Sequence, residues 1–415
     1  MDDAEKFLKT HGLHEARCDF DGQVSRFTAE MEAGLAGEKS SLLMLPTYLD
    51  AVAGAEAKGD VIAVDAGGTN LRIALVSFGG GAPQIGRYEK YRIPGSEGAV
   101  GKDEFFARIA AHIGDRTDKS GKVGFCFSFP SEIGANRDGR ILGFNKEVKV
   151  NGAEGAFIGA ELNAALAREG KPPVDVTALN DSAAALIGTL FASGAESRGR
   201  YSGYIGLIYG TGINICYHEK SKGMLINTEA GGYDGFEQSA CDHEIDAESG
   251  NPGDHCFEKM VSGAYFAKVA LKAIKLAARE GLFSARACEK LAAPFELDAV
   301  SIDRFLESGG VRGAGLGALC DSEADAALLL GIFDGLYERA AKLLAVAMTA
   351  VLRKSGADGQ RPALIVAEGS TFRKGYLFRE RFERAILAHT DGAAPYTLVL
   401  ADDHAVIGAA ASVFL

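Results

Sequence analysis

Apolar positions along the chain follow two rhythms that take turns. Short runs with every second residue apolar, bounded by Gly, Asp and Asn, predict strands over 61–64, 71–78, 123–127, 174–179, 204–208, 213–217, 363–366 and 397–400. Longer stretches with apolar residues three and four apart predict helices over 104–113, 156–168, 182–192, 257–279 and 333–354. The last of these places Leu336, Ala340, Leu343, Leu344 and Ala347 on one face and stops at Gly356, a residue suited to ending a helix. Strands and helices interleaved in this way indicate packed α/β layers.

Two predicted strand pairs share a design. VIAVDAGGTNLRIALV (61–76) and YIGLIYGTGINICY (204–217) each read strand, turn of Gly and Thr, strand. Their recurrence indicates a duplicated architecture with one hairpin per half, and the polar, glycine-rich SRGRYSG (197–203) marks a boundary between the halves. Glycine-rich turns are what ordinary hairpins use. An acid at the end of the first strand, Asp65, is not something a turn requires. Backbone N–H groups at such turns converge on anions, and a Thr hydroxyl adds a donor. Two turns facing each other would grip a polyphosphate, with Asp65 holding the accompanying Mg²⁺ through water and Arg72 as the nearby countercharge. Neither GxxxxGK[ST] nor a GxGxxG in the required context occurs.

VTALNDSAAALIGTLFA (176–192) is a strand entering a helix through Asn180, Asp181 and Ser182. These residues suit an N-cap. Asp181 equally suits a general base at the C-terminal end of a strand, where α/β proteins place ligands and a helix N-terminus favours negative charge. Glu229 in INTEAGGYDGF and Glu258 in NPGDHCFEKMVSGAY stand beside glycines, either as solvated charges or as acceptors for sugar hydroxyls. Cys241, His243, His255 and Cys256 lack zinc-ligand spacing, and no nucleophile elbow or HExxH is present.

Bulk properties narrow the class. At 415 residues the chain is long enough for two or three domains. A net charge of −12 without a basic block argues against nucleic acid or an anionic membrane as partner. The polar start is not a signal peptide, the apolar runs are too short to span a bilayer, and seven scattered cysteines without CxxC indicate reduced thiols in a cytoplasm.

Taken in order, these segments resemble the eukaryotic-type hexokinase family over nearly the whole chain. EMEAGLAGEKSSLLMLPTYLD leads into the first hairpin, which is similar to the family's first phosphate motif. GFCFSFPSE is similar to its SFP sugar-binding segment, and LGFNKEV stands where the family has Trp-Thr-Lys-Gly. ALNDS matches its catalytic Asn-Asp-Thr, and GLIYGTGINICYHE its second phosphate motif. INTEAGG and FEKMVSGAYF match two further sugar-binding segments, and VAEGSTFRKG resembles its adenosine-binding segment.

The resemblance implies an α/β fold of the two-lobed actin-like ATPase (ribonuclease H-like) type, with a cleft between a smaller and a larger domain. Residues 1–202 would form mainly the small lobe, their first 55 or so helical and packed on the large lobe, and 203–415 mainly the large lobe. It implies transfer of the γ-phosphoryl group of MgATP to the 6-hydroxyl of glucose and related hexoses, the first step of glycolysis. Asp181 would take the hydroxyl proton, and Lys146 would face the transferring group. Ser128, Asn145, Lys146, Asn180, Asp181, Asn214, Glu229 and Glu258 would hold the sugar. Asp65, Gly67, Gly68, Thr69, Asn70, Arg72, Gly210, Thr211, Gly212, Gly369 and Ser370 would serve MgATP, Asp65 reaching Mg²⁺ through water.

Departures are local. Phe144 replaces Trp, Asn145 replaces Thr, Glu147-Val148 replaces Gly-Phe, Ala230 replaces a Trp after Glu229, and ADDHAVIGAAASVF replaces a glycine-rich run. Other readings stay in view. A kinase for another sugar or amino sugar, or one with another phosphoryl donor, would carry the same motifs. Repressor-type bacterial sugar kinases share the fold but carry a cysteine-rich zinc segment that is missing here. Actin-like ATPases place a carboxylate ahead of the second turn, where this chain has Tyr209, and a non-catalytic sugar sensor would not need Asp181 and Lys146.

Overall fold

The computed structural model describes residues 2–53, 56–79, 81–144, 148–194, 199–356, 361–389, 396–401 and 404–415. Two large sheets organise it. Their strands are β1 (Leu45–Pro46), β2 (Gly59–Ala66), β3 (Asn70–Phe78), β4 (Gln84–Arg92), β5 (Lys122–Phe127), β6 (Asp175–Leu179), β7 (Tyr204–Tyr209), β8 (Ile213–Glu219), β9 (Met224–Asn227), β10 (Ala363–Glu368) and β11 (Tyr396–Leu400). One sheet runs β6-β5-β2-β3-β4, the other β1-β9-β8-β7-β10-β11.

Each contains the same five-strand plan. An antiparallel meander (β2-β3-β4; β7-β8-β9) is extended by two parallel strands (β5, β6; β10, β11). The repetition seen in the two hairpins is therefore a repetition of whole sheets. All eight predicted strands are present, with ends within two residues of expectation. Strand β4 was not predicted because it is an edge strand with nearly every residue exposed, so it carries no apolar alternation.

The helices that matter here are α1 (Phe20–Leu35), α2 (Asp181–Ala192), α3 (Ala240–Glu248), α4 (Cys256–Val261), α5 (Gly263–Arg279), α6 (Glu323–Lys354) and α7 (His404–Ser412). Helix α6 is almost wholly buried along its length, and both α1 and the short helix Asp3–Thr10 pack on it. It begins well ahead of the predicted 333 because Ser322 and Asp325 form a capping box. The predicted helix over 257–279 is two helices. Ser262 is extended, and the amides of Gly263 and Ala264 donate to the carbonyls of Gly210 (2.8 Å) and Thr211 (3.1 Å) in the β7–β8 turn. A tertiary contact thus outcompetes the local helical bonds.

Helices α2 and α7 touch along glycines, and α7 then lies on β2 and β5. A Cβ at Gly188 would run into the His404 carbonyl, one at Gly408 into the Ala184 carbonyl, and one at Gly124 of β5 into the Ala409 carbonyl. The C-terminal helix therefore belongs to the five-stranded sheet, while β1 belongs to the six-stranded one. Gly408→Val is expected to destabilise the fold by about 1–3 kcal/mol or more through overpacking. A urea midpoint equal to wild type would mean that the two helices separate freely.

Candidate active site

A concave site lies where the two sheets meet. It is open to solvent and is lined by Ser128, Phe129, Pro130, Asn180, Asp181, Ile208, Gly212, Ile213, Asn214, Glu229, Gly231, His255 and Glu258. An open cleft with several convergent polar groups suits a small polar ligand. Six of the eight expected sugar-side residues thus come together. The other two, Asn145 and Lys146, lie outside the described residues.

Local chemistry places each group. Strand β6 ends at Leu179, Asn180 caps α2, and Asp181 is the first helical residue. The cap and the candidate base are thus neighbours, and one does not exclude the other. The Asn180 side-chain oxygen accepts from the Ser182 amide and hydroxyl (both 2.9 Å) and from Asn214 Nδ2 (3.1 Å). Asn214 Nδ2 also donates to Asn227 Oδ1 (2.8 Å), and Asn227 Nδ2 donates to Glu229 Oε1 (2.6 Å). A continuous chain of amides therefore runs from the start of α2 to Glu229. Such a satisfied network holds its members in one geometry.

Glu229 sits at φ +53, a left-handed conformation uncommon outside glycine. Burial pushes its carboxyl above the usual range; Asn227 opposes the shift, and the nearby Asp181 adds to it. Glu258 Oε2 accepts from the amide of Ile213 (3.1 Å). It also occupies the space where a Gly212 side chain would sit, 2.5 Å from that Cβ position. A Cβ at 212 would therefore push the Glu258 carboxylate aside. Glu258 thereby ties the cleft to the β7–β8 turn.

That turn is held from several sides. Gly210 lies against the backbone of Gly369 and Ser370, and Thr371 Oγ1 donates to the Gly210 carbonyl (2.9 Å). Gly369 has φ +129, with the Tyr209 carbonyl where a Cβ would be. The structure therefore brings Gly210, Thr211 and Gly212 together with Gly369 and Ser370; Thr211 and Ser370 are exposed at the surface of this group. Tyr209 is fully buried, donates to the Val261 carbonyl (2.6 Å) and stacks on Phe378. It is a core residue, so no group at this position manages an attacking water.

The β2–β3 turn carries Gly67, Gly68 and the exposed Thr69, with Asn70 opening β3; its close is the Gly67 amide donating to the Asn70 carbonyl (3.0 Å). Strand register sets Asp65 opposite Arg72 on one side and Cys126 on the other. Arg72 Nη1 donates to Asp65 Oδ2 at 2.5 Å. Burial pushes the Asp65 carboxyl up, and Arg72 works against that shift. Arg72 is thus first of all the partner of Asp65. Among the described residues no group of three or more His, Cys, Asp or Glu could hold a metal. Asp65 lies near the end of β2, ahead of the Gly67–Thr69 turn, with its charge already met by Arg72, so it offers a metal a single carboxylate.

Phe144, in place of the expected Trp, packs against Phe105, Phe127 and Phe129. Ala230 is fully buried, its amide donating to Asn214 Oδ1 (3.3 Å).

Two family models, both described as hexokinase, match residues 204–415 and 5–191. The chain belongs to the hexokinase family. It is accordingly an ATP-dependent sugar kinase. Among its relatives, the hexokinase of Schwanniomyces occidentalis is 27% identical, with 93% of this chain and 87% of that protein covered. Hexokinase-2 of Oryza sativa is 29% identical, with 92% and 85% covered. The fold is similar to that of a hexokinase from Schistosoma mansoni complexed with glucose, with TM-score 0.80, 23% identity and 98% of both chains covered. A ROK hexokinase from Thermus thermophilus shares the fold more distantly, at TM-score 0.54 and 16% identity over 85% of this chain and 97% of that one.

Two residues of this hexokinase cleft escaped the sequence reading. Asn227 bridges Asn214 and Glu229, and its signal was its place two residues before Glu229. His255, at φ +52 and three residues before Glu258, was considered only as a metal ligand.

Proposed function

We propose that the cleft binds glucose or a closely related hexose and that Asp181 takes the proton from its 6-hydroxyl as the γ-phosphoryl group of ATP is transferred. The observation that carries this reading is the grouping of Asp181 with Asn180, Asn214, Glu229, Glu258 and Ser128 around one small cleft whose wall continues into the Gly210–Gly212 turn. Carboxylates and amides in that arrangement accept from and donate to neighbouring hydroxyls of a sugar ring. Phosphoryl transfer asks mainly for positioning and charge neutralisation, which such a site supplies.

In this reading Thr69 and Thr211, with the amides of their turns, hold the phosphates from the two lobes, and Gly369 and Ser370 border the rest of the nucleotide. Asp65 holds the water shell of Mg²⁺, and that ion would neutralise charge on the phosphates. Lys146 and Asn145 are assigned to sugar and phosphoryl contacts by their motif alone. Seven free cysteines favour a reducing, cytoplasmic setting, which fractionation of the source cells would test.

A coupled assay with glucose, mannose, fructose and glucosamine tests the substrate class, and absence of turnover with every hexose would sink it. The titration of Glu229 gives a second check. Hydroxyls donating to its carboxylate favour the ionised form, so sugar binding lowers a pKa that burial has raised and releases a proton. Affinity should therefore weaken as pH falls from neutrality toward about 5. Calorimetry showing a flat profile over that range would remove Glu229 from sugar contact.

A further inference from the structure

We infer that Lys259, which contacts neither sugar nor nucleotide, is a positioning residue for sugar binding that acts through Glu258; the inference rests on the reading of the cleft as a sugar site. Lys259 follows Glu258 in sequence, yet its side chain is only 1% exposed. Its Nζ donates to Asp246 Oδ1 (2.7 Å) and to the Asn251 carbonyl (2.7 Å). Asp246 in α3 also accepts from the Gly253 amide, through Oδ1 (3.1 Å) and Oδ2 (2.9 Å). One ammonium thus gathers the end of α3, the loop 249–255 and helix α4. A charge this deep is tolerated only when paired and hydrogen-bonded, and here two of its three protons have acceptors.

The knot controls a segment that has little order of its own. Helix α4 has six residues, too few to persist without tertiary support. It is entered through His255 at φ +52, a conformation that a residue with a side chain keeps only when its surroundings impose it. Successive helical side chains point about 100° apart, so Lys259 faces the knot while Glu258 faces the cleft. Glu258 must sit within a narrow range: its Oε2 bonds the Ile213 amide and fills the space over Gly212. A small roll of α4 about its axis would break both relations. Buried Phe257, Met260 and Val261 hold the helix in place, and the Lys259 anchor adds a directional, charged contact against such a roll.

The test compares wild type, Lys259→Met and the double variant Asp246→Asn/Lys259→Met as full chains, reading KM for the hexose, KM for ATP, kcat and Tm. Lys259→Met should raise the hexose KM about tenfold or more, a normal size for the loss of a coupled contact. ATP KM should rise less than the hexose KM, because the knot reaches the phosphate turn only through the bond from Glu258 to the Ile213 amide. Tm should fall, because the half-buried Asp246 loses its ammonium partner and the anchor between α3 and α4 is gone. In the double variant Tm should recover, since no carboxylate is left without its ammonium, while the hexose KM stays high, since the Lys259 bond to Asn251 is still missing.

A hexose KM unchanged in Lys259→Met, or one that recovers in step with Tm in the double variant, overturns the inference. If the single variant does not fold, the hexose KM of the double variant decides alone. Wild type that turns over no hexose would overturn the substrate reading and this inference together.

Discussion

Asp181→Asn should lower kcat by about 10²–10⁴-fold, the usual contribution of a positioned general base. Sugar binding measured by calorimetry should stay near wild type. The substitution keeps the size and planarity of the side chain at the first position of α2. Its amide oxygen can still accept from the Ser182 amide, as Asp181 Oδ1 does at 2.9 Å. Asn180 and its cap are untouched, so the helix start and the amide chain to Glu229 remain in place. What the amide cannot do is take up a proton. The loss should therefore fall on the chemical step, appearing in kcat and in kcat/KM alike. A kcat within a few-fold of wild type would remove Asp181 from the role of base.

Glu258→Ala should be the most damaging change on the sugar side, raising the hexose KM about 10²–10³-fold, as expected when a charged hydrogen-bond acceptor is lost from a buried site. It should also lower kcat, because Glu258 holds the Ile213 amide beside the phosphate turn as well as facing the cleft. Glu258→Gln separates the two tasks. Its amide oxygen can accept from Ile213, so the turn should keep its place and ATP KM should return to wild type. The charge offered to sugar hydroxyls is gone, so the hexose KM should stay high. Equal defects in both variants, in both substrates, would mean that Glu258 acts only as a prop for the turn.

Much of this was legible in the chain itself because short-range rules govern it. Strand alternation is a property of consecutive residues, and all eight patterned strands are present. Turn chemistry is equally local, so the two hairpins could be read and their shared design noticed. Asn180, Asp181, Asn214, Glu229 and Glu258 were found because each sits in a short recognisable segment. Elements failed where a long-range contact overrode local preference. The helix over 257–279 breaks at Ser262 because the next two amides bond the turn at Gly210 and Thr211, some fifty residues away in sequence. Strand β4, exposed along nearly its whole length, exists because β3 offers it a partner, a fact that no periodicity can encode.

The division of tasks between the acids shows the same limit. From sequence alone Asp65 was an acid near a turn with a cation close by. Register places it between Arg72 and Cys126, so its charge is met within the lobe before any ligand arrives. Lys259 had no role in the sequence reading, and its side chain is only 1% exposed.

The sequence by itself determined the α/β class, the paired glycine turns, the likeness to hexokinases and the identity of the groups able to do the chemistry. These follow from residue type and spacing within a few positions, where sterics and periodicity act. Only the tertiary structure decided that Asn227 joins Asn214 to Glu229, that Glu258 fills the space over Gly212, and that Lys259 closes on Asp246. Those relations join residues on different elements, and their energies come from burial and close approach, which exist only once the chain has packed.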